Sequence, residues 1–104
     1  MGDFLAENDP RIGVKEELEV REPRKYKVLL LNDDYTTMDF VVEILIHVFN
    51  KSETEATLIM LAVHNEGKGV CGLYPAEIAE TKVDTVHKLA RQAGFPLKCS
   101  MEGE

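Results

Sequence analysis

The stretch VLLLNDDYTTMDF, residues 28–40, starts as a buried strand and ends as a helix. Side chains alternate along an extended backbone, so Tyr26, Val28 and Leu30 share one face and Leu29 and Leu31 the other. Thr36 followed by Asp39 has the spacing of a capping box, which predicts a helix start at that point. Between strand and helix stand Asn32, Asp33 and Asp34. Three acceptor-rich side chains at the edge of an apolar core are either turn-formers welcomed by a helix N-terminus or a binding group.

The pattern continues outward from there. In the helix expected over about 37–49, Asp39, Glu43, His47 and Asn50 form one narrow polar stripe, and nearly everything else is apolar. Such a helix is wrapped by protein on most sides or lines an apolar hollow. Ser52 and Glu55 make a second capping box, opening a helix to about Asn65 with Ala56, Ile59, Met60 and Val63 inward and Gly67 as its stop. GVCGLY reads as a strand. Pro75 then suits the first position of a third helix, with Ala79, Val83, Val86 and Ala90 inward and Gly94 beyond its end. Leu97, Cys99 and Met101 alternate with Lys98, Ser100 and Glu102, a half-buried final strand. The order β-α-α-β-α-β predicts an α+β two-layer sandwich, a three-stranded antiparallel sheet with three helices on one face.

Residues 1–24 differ from the rest. Charges are scattered without period and prolines stand at 10 and 23, which predicts a flexible N-terminal arm ahead of a core domain at 25–104. A chain of 104 residues suits one domain. Its 19 acidic and 12 basic residues give a formal net charge of -7, which argues against nucleic acid or anionic lipid as the main partner. No apolar run approaches the roughly 18 residues of a membrane span and no signal-peptide pattern opens the chain, so a cytoplasmic location is expected.

Motifs for catalysis are missing: no GxSxG, phosphate loop, HExxH or GxGxxG occurs. No catalytic residue, cofactor or metal site is expected. Cys71 and Cys99 lack CxxC spacing and read as buried, inert thiols; a disulfide is open to them only if their strands pair. His47 and His87 read as surface or capping groups. His64 closes the second helix near Met60 and Val63, where a helix C-terminus also favours a histidine. If that helix packs antiparallel to the first, its end returns to the end of the first strand. Asn32, Asp34 and His64 then gather around Met38, Val41, Met60 and Val63. Acceptors at the mouth of an apolar, Met-lined hollow suit a cationic head joined to a hydrophobic side chain, the shape of a free peptide N-terminus.

The segments YKVLLLNDDYTTMDFV, ATLIMLAVHNEGKGVCG, EIAETKV and FPLKCSME closely resemble the ClpS family of bacterial adaptor proteins, over essentially residues 25–102. The resemblance implies an N-end-rule adaptor and no enzyme. Such proteins bind N-degron substrates that begin with Leu, Phe, Tyr or Trp and hand them to the AAA+ unfoldase ClpA for degradation by ClpAP. It also implies an α-amine site at Asn32, Asp33, Asp34 and His64, and a side-chain pocket of Thr36, Met38, Val41, Met60, Val63 and Leu97. The surface docking on the unfoldase's N-terminal domain would include Glu77 and Lys82. Two positions depart from the family pattern. Thr37 stands where proline is common, which implies a slightly softer pocket entrance, and Pro75 stands where Thr or Ser is frequent.

Two rival readings remain in view. A small hydrolase could use Asp34 and His64 as an acid–base pair, but no nucleophile or oxyanion-donor pattern accompanies them. A purely structural interaction domain would resemble the C-terminal domain of the ribosomal stalk protein, and has no use for the NDD and VH clusters.

Overall fold

A computed structural model describes residues 24–104. The expected arm lies outside the described residues apart from Arg24. Within them the order is β1 (Lys25–Leu31), α1 (Met38–His47), α2 (Glu53–Glu66), β2 (Lys68–Pro75), α3 (Ala76–Ala93) and β3 (Lys98–Gly103). The sheet is antiparallel with strand order β2-β1-β3, so the first strand is central. This is the expected α+β sandwich.

Val28, Leu29 and Leu30 of β1 are all buried, Leu29 outside the main core cluster. Val28 and Leu30 are fully buried beneath the helices and join the main core with Ile44, Leu45, Cys71, Val86 and Cys99. Burying each such aliphatic side chain contributes about 1.5–3 kcal/mol. α3 packs on all three strands. It can lie close because its inward positions are small or short: Ala79, Val86 and Ala90. Val83 is only partly buried and packs at the core's margin.

The helix starts and stops show where local chemistry decides. α2 opens on the expected box, in which Ser52 Oγ accepts from the Glu55 N–H and Glu55 accepts from the Ser52 N–H. It ends at Gly67, whose φ of 92° is left-handed and favours glycine. α1 opens one residue later than expected: its cap is Thr37, whose Oγ1 accepts from the Phe40 N–H at 3.1 Å. The Thr36 hydroxyl instead turns toward the loop and donates to Asp33 Oδ2 at 2.7 Å. Pro75 is the last residue of β2 and the N-cap of α3, one position before the first helical place expected for it.

The two cysteines sit on β2 and β3, on opposite sides of β1, so their strands do not pair and both thiols are free. Burial pushes each up to about 12, keeping them protonated and inert. His87 is half-buried and holds β3 to α3, since its Nε2 accepts from the Cys99 N–H at 3.0 Å.

Candidate functional site

The end of β1 is tied to the end of α2. The Asn32 N–H donates to the Gly67 carbonyl at 2.9 Å, so the strand's exit lies beside the last turn of α2, where His64 stands. The antiparallel return anticipated from the sequence therefore occurs. The loop from 32 to 37 then swings to the start of α1, and Asp33 shapes it. Asp33 Oδ1 accepts from the Tyr35 N–H at 2.8 Å and the Thr36 N–H at 2.7 Å, an Asx turn.

These ties enclose a cavity of about 240 Å³ lined by Asn32, Asp33, Asp34, Thr36, Met38, Val41, Met60, Val63 and His64. Its floor is apolar and buried, with Val41 6% and Val63 3% exposed, while Met38 stands at the mouth. Its rim is polar. Among the described residues, the side chains of Asn32, Asp34 and His64 have no hydrogen-bond partner within the protein. Larger hollows of about 450 to 550 Å³ lie elsewhere, but they are more open and none gathers acceptors in this way. Polarity at the rim distinguishes this cavity, and size does not.

The carboxylates of Asp33 and Asp34 are unlike. Burial pushes the Asp33 carboxyl up, but hydrogen bonds from the Thr36 N–H, the Thr36 hydroxyl and the Tyr35 N–H outweigh it and leave it below its ordinary value. Asp34 is exposed. The rim thus presents an amide oxygen, a carboxylate and an imidazole lone pair, three acceptors for a three-donor ammonium. The one hydroxyl lining the cavity among the described residues is that of Thr36, which donates to Asp33 Oδ2. Among the described residues no three His, Cys, Asp or Glu side chains cluster as a metal-ligating group.

Leu97 does not line this cavity. It is 3% exposed and borders a separate groove with Leu31, His87 and Phe95. Glu77 and Lys82 do share one hollow, at the C-terminal end of α1, with His47, Val48, Ile78 and Thr81. Lys82 has a role there that the sequence did not reveal. Its Nζ donates to the Val48 carbonyl at 2.6 Å and lies 5.8 Å and 5.5 Å from the ring centroids of Phe49 and Tyr74. It caps the end of α1 from another helix.

Comparisons with known proteins agree with this architecture. Residues 21–100 match the family described as ATP-dependent Clp protease adaptor protein ClpS. The ATP-dependent Clp protease adapter protein ClpS of Wolinella succinogenes is 61% identical over 86% of this chain and 87% of its own length. That of Desulfatibacillum aliphaticivorans is 58% identical over 100% of this chain and 92% of its own. Among solved structures, Agrobacterium tumefaciens ClpS2 bound to L-phenylalaninamide superposes with a TM-score of 0.77 at 42% identity, covering 80% of this chain and 100% of that one. With the family model spanning most of the chain and relatives this similar, the chain belongs to the ClpS family of Clp protease adaptors, which are not enzymes.

Proposed function

We propose that this protein binds the free α-amine and the large hydrophobic first residue (Leu, Phe, Tyr or Trp) of N-degron substrates and delivers them to the unfoldase ClpA for degradation by ClpAP in the cytoplasm. The observation that carries the reading is the cavity itself, an apolar floor under three acceptors that have no side-chain partner among the described residues. In this reading Asn32, Asp34 and His64 take the three ammonium hydrogens, and Met38, Val41, Met60 and Val63 surround the side chain. The ligand of the Agrobacterium structure supports it, because L-phenylalaninamide carries a free α-amine, an aromatic side chain and an amide where a peptide would continue.

The magnitudes are adequate. A peptide α-amine has a pKa of about 7.7–8.0 and is largely a cation at neutral pH. Burying a Phe or Leu side chain contributes about 1.5–3 kcal/mol. Hydrogen bonds to a charged group add about 1.5–3 kcal/mol each. Association costs offset much of this, which leaves affinity near the micromolar range.

Delivery uses other parts of the chain. The hollow holding Glu77 and Lys82 docks on the N-terminal domain of ClpA, and residues 1–24 supply a polar leader that the unfoldase engages. Fluorescence anisotropy with a Phe-first peptide, free and N-acetylated, tests the recognition step: binding is expected for the free peptide and none for the acetylated one. Equal affinity for the two would refute the reading. A chain beginning at Pro23 is expected to bind the free peptide normally yet fail to accelerate its degradation by ClpAP.

A further inference from the structure

The helices pack on one face of the sheet, where Val28, Leu30, Cys71 and Cys99 enter the main core. Among the described residues no helix covers the other face. Alternation and register define what stands there. Leu29 of the central strand is flanked by Val70 on β2 and Ser100 on β3, and Lys27 lies opposite Leu73 and Glu102. Val70 and Leu73 are 47% and 45% exposed, so an apolar strip lies open to water. Lys25, Lys27, Lys68 and Lys98 surround it, all exposed, against the carboxylate of Glu102. A chain of net charge -7 thus gathers four lysines around one apolar strip.

The sequence just before β1 has the complementary pattern. In EELEVRE, residues 16–22, four glutamates stand against one arginine. On an extended backbone Glu16, Leu18, Val20 and Glu22 share one side, two apolar groups between two acids. The segment is seven residues long, as β1 is, and only Pro23 and Arg24 separate it from Lys25. Proline at the second position of a turn over 22–25 suits a reversal that returns the segment along β1. Arg24 marks the point of departure, since its guanidinium lies 5.6 Å from the centroid of the Tyr26 ring. We propose that residues 16–22 dock on the open face of the sheet, with Leu18 and Val20 over Leu29, Val70 and Leu73 and the glutamates against the lysines. The contact needs little intrinsic affinity, because a short tether gives an effective concentration in the millimolar range. Docking also brings residues 1–15 to the Leu31 end of β1, where Asn32 opens the rim of the cavity. Leader and cavity then share one end of the molecule. The proposal stands apart from the amine-binding reading and adds to it: substrate and leader are presented together.

A nitroxide attached at Gly13→Cys in the full, isotope-labelled chain reads the arrangement by NMR. The native thiols do not compete for it, since both are buried and held up to about 12. An undocked arm leaves from Lys25 and broadens amide signals most at that end of β1. A docked arm carries the label to the opposite end, about 20 Å away. The Leu31, Gly69 and Val70 amide signals should then fall by about twofold or more. Glu80, exposed on α3, should keep its signal. Lys68→Glu combined with Lys98→Glu should restore the lost signals. Leu18→Ser combined with Val20→Ser should restore them as well, and these two changes lie outside the described core. Signals at the Leu31 end that do not fall, or that stay low in both double variants, would overturn the proposal. An equal loss in isotope-labelled chain without nitroxide, mixed with nitroxide-bearing chain, would give the face to a second copy and overturn it too.

Discussion

At the N-terminal end of α1, the side chains of Asn32, Asp34 and His64 border a cavity without a hydrogen-bond partner among the described residues. At its C-terminal end, the Lys82 ammonium donates to the Val48 carbonyl and lies over the rings of Phe49 and Tyr74. One helix therefore separates polar groups left open from a polar group already engaged. Asn32, Asp34 and His64 are exposed, so water meets their hydrogen-bonding capacity until a ligand takes its place. A group that is satisfied holds the fold first and meets partners second. Both ends carry hollows, but at the C-terminal end the lysine is tied to the helix, whereas the acceptors at the N-terminal end have no side-chain partner among the described residues.

The largest effect expected from breaking this comparison is at the open end. Asp34→Ala and His64→Ala should each weaken binding of a Phe-first peptide tenfold or more, about 1.4 kcal/mol apiece, with little change in stability because neither side chain bonds within the described protein. Anisotropy beside urea unfolding measures both quantities. Loss of stability matching the loss of affinity would return these residues to a structural role.

At the engaged end the pattern should invert. Lys82→Met keeps the aliphatic stem but leaves the Val48 carbonyl without its donor, so unfolding free energy should fall by about 1–2 kcal/mol while peptide affinity stays unchanged. If Lys82 acts on the unfoldase directly, the variant would instead keep its stability and lose ClpA binding. Pull-down with the ClpA N-terminal domain beside a urea titration distinguishes the two.

How much of this could be read in advance follows from how local each cause is. The order of strands and helices was legible because alternation, the Ser52–Glu55 box and the stops at Gly67 and Gly94 lie within a few residues of what they determine. The clustering of Asn32, Asp34, Met38 and His64 needed one further step, an antiparallel return of α2, and the Asn32–Gly67 bond provides it. What was not legible depends on competition or on distance. Thr36 and Thr37 are equally good caps on paper; in the structure Thr37 caps Phe40 while Thr36 is drawn into the turn that Asp33 closes. Lys82 and Val48 are 34 residues apart, as His87 and Cys99 are 12, and no short pattern announces either bond. Leu97 borders a different groove from the one implied for it, since the turn before β3 directs it toward Leu31 and His87.

Met38 sharpens the comparison within the open end itself, because it is the one apolar lining residue that stands half-exposed at the mouth, at 44%. An unbranched thioether there accommodates a Leu or Phe methylene but crowds a second branch on the β-carbon. Ile-first and Val-first peptides should therefore be excluded at a cost of about 1 kcal/mol or more. Met38→Ala should raise the Ile-to-Leu affinity ratio by about fivefold while Phe-first peptides lose some packing. An unmoved ratio would place the selectivity filter elsewhere.

Acid probes the loop that holds the open groups in place. The Asp33 carboxyl lies below its ordinary value of 3.8 in the folded chain. A depressed folded-state value means that its contribution to stability is fully present above 3.8 and is lost as pH falls through the lower folded value. Urea unfolding of wild type and Asp33→Asn from about pH 5 to about pH 2.5 should show their difference shrinking toward acid. A constant difference would mean that the charge of Asp33 plays no part in the turn.

The smallest effect belongs to Thr37, where proline is common in the family and a softer entrance was expected. The structure gives Thr37 a compensating task, since its hydroxyl caps the Phe40 N–H, which a proline side chain cannot do. Its φ of -74° already lies in the range proline imposes. Thr37→Pro would thus lose a cap, about 1 kcal/mol, and restrict the unfolded chain, a gain of about 0.4–1 kcal/mol. The two nearly cancel. Stability should move by no more than about 0.5 kcal/mol and Phe-first affinity by no more than about twofold, measured by urea unfolding and anisotropy. A tenfold gain in affinity would show that rigidity at the entrance, which the cap does not replace, limits binding in this chain.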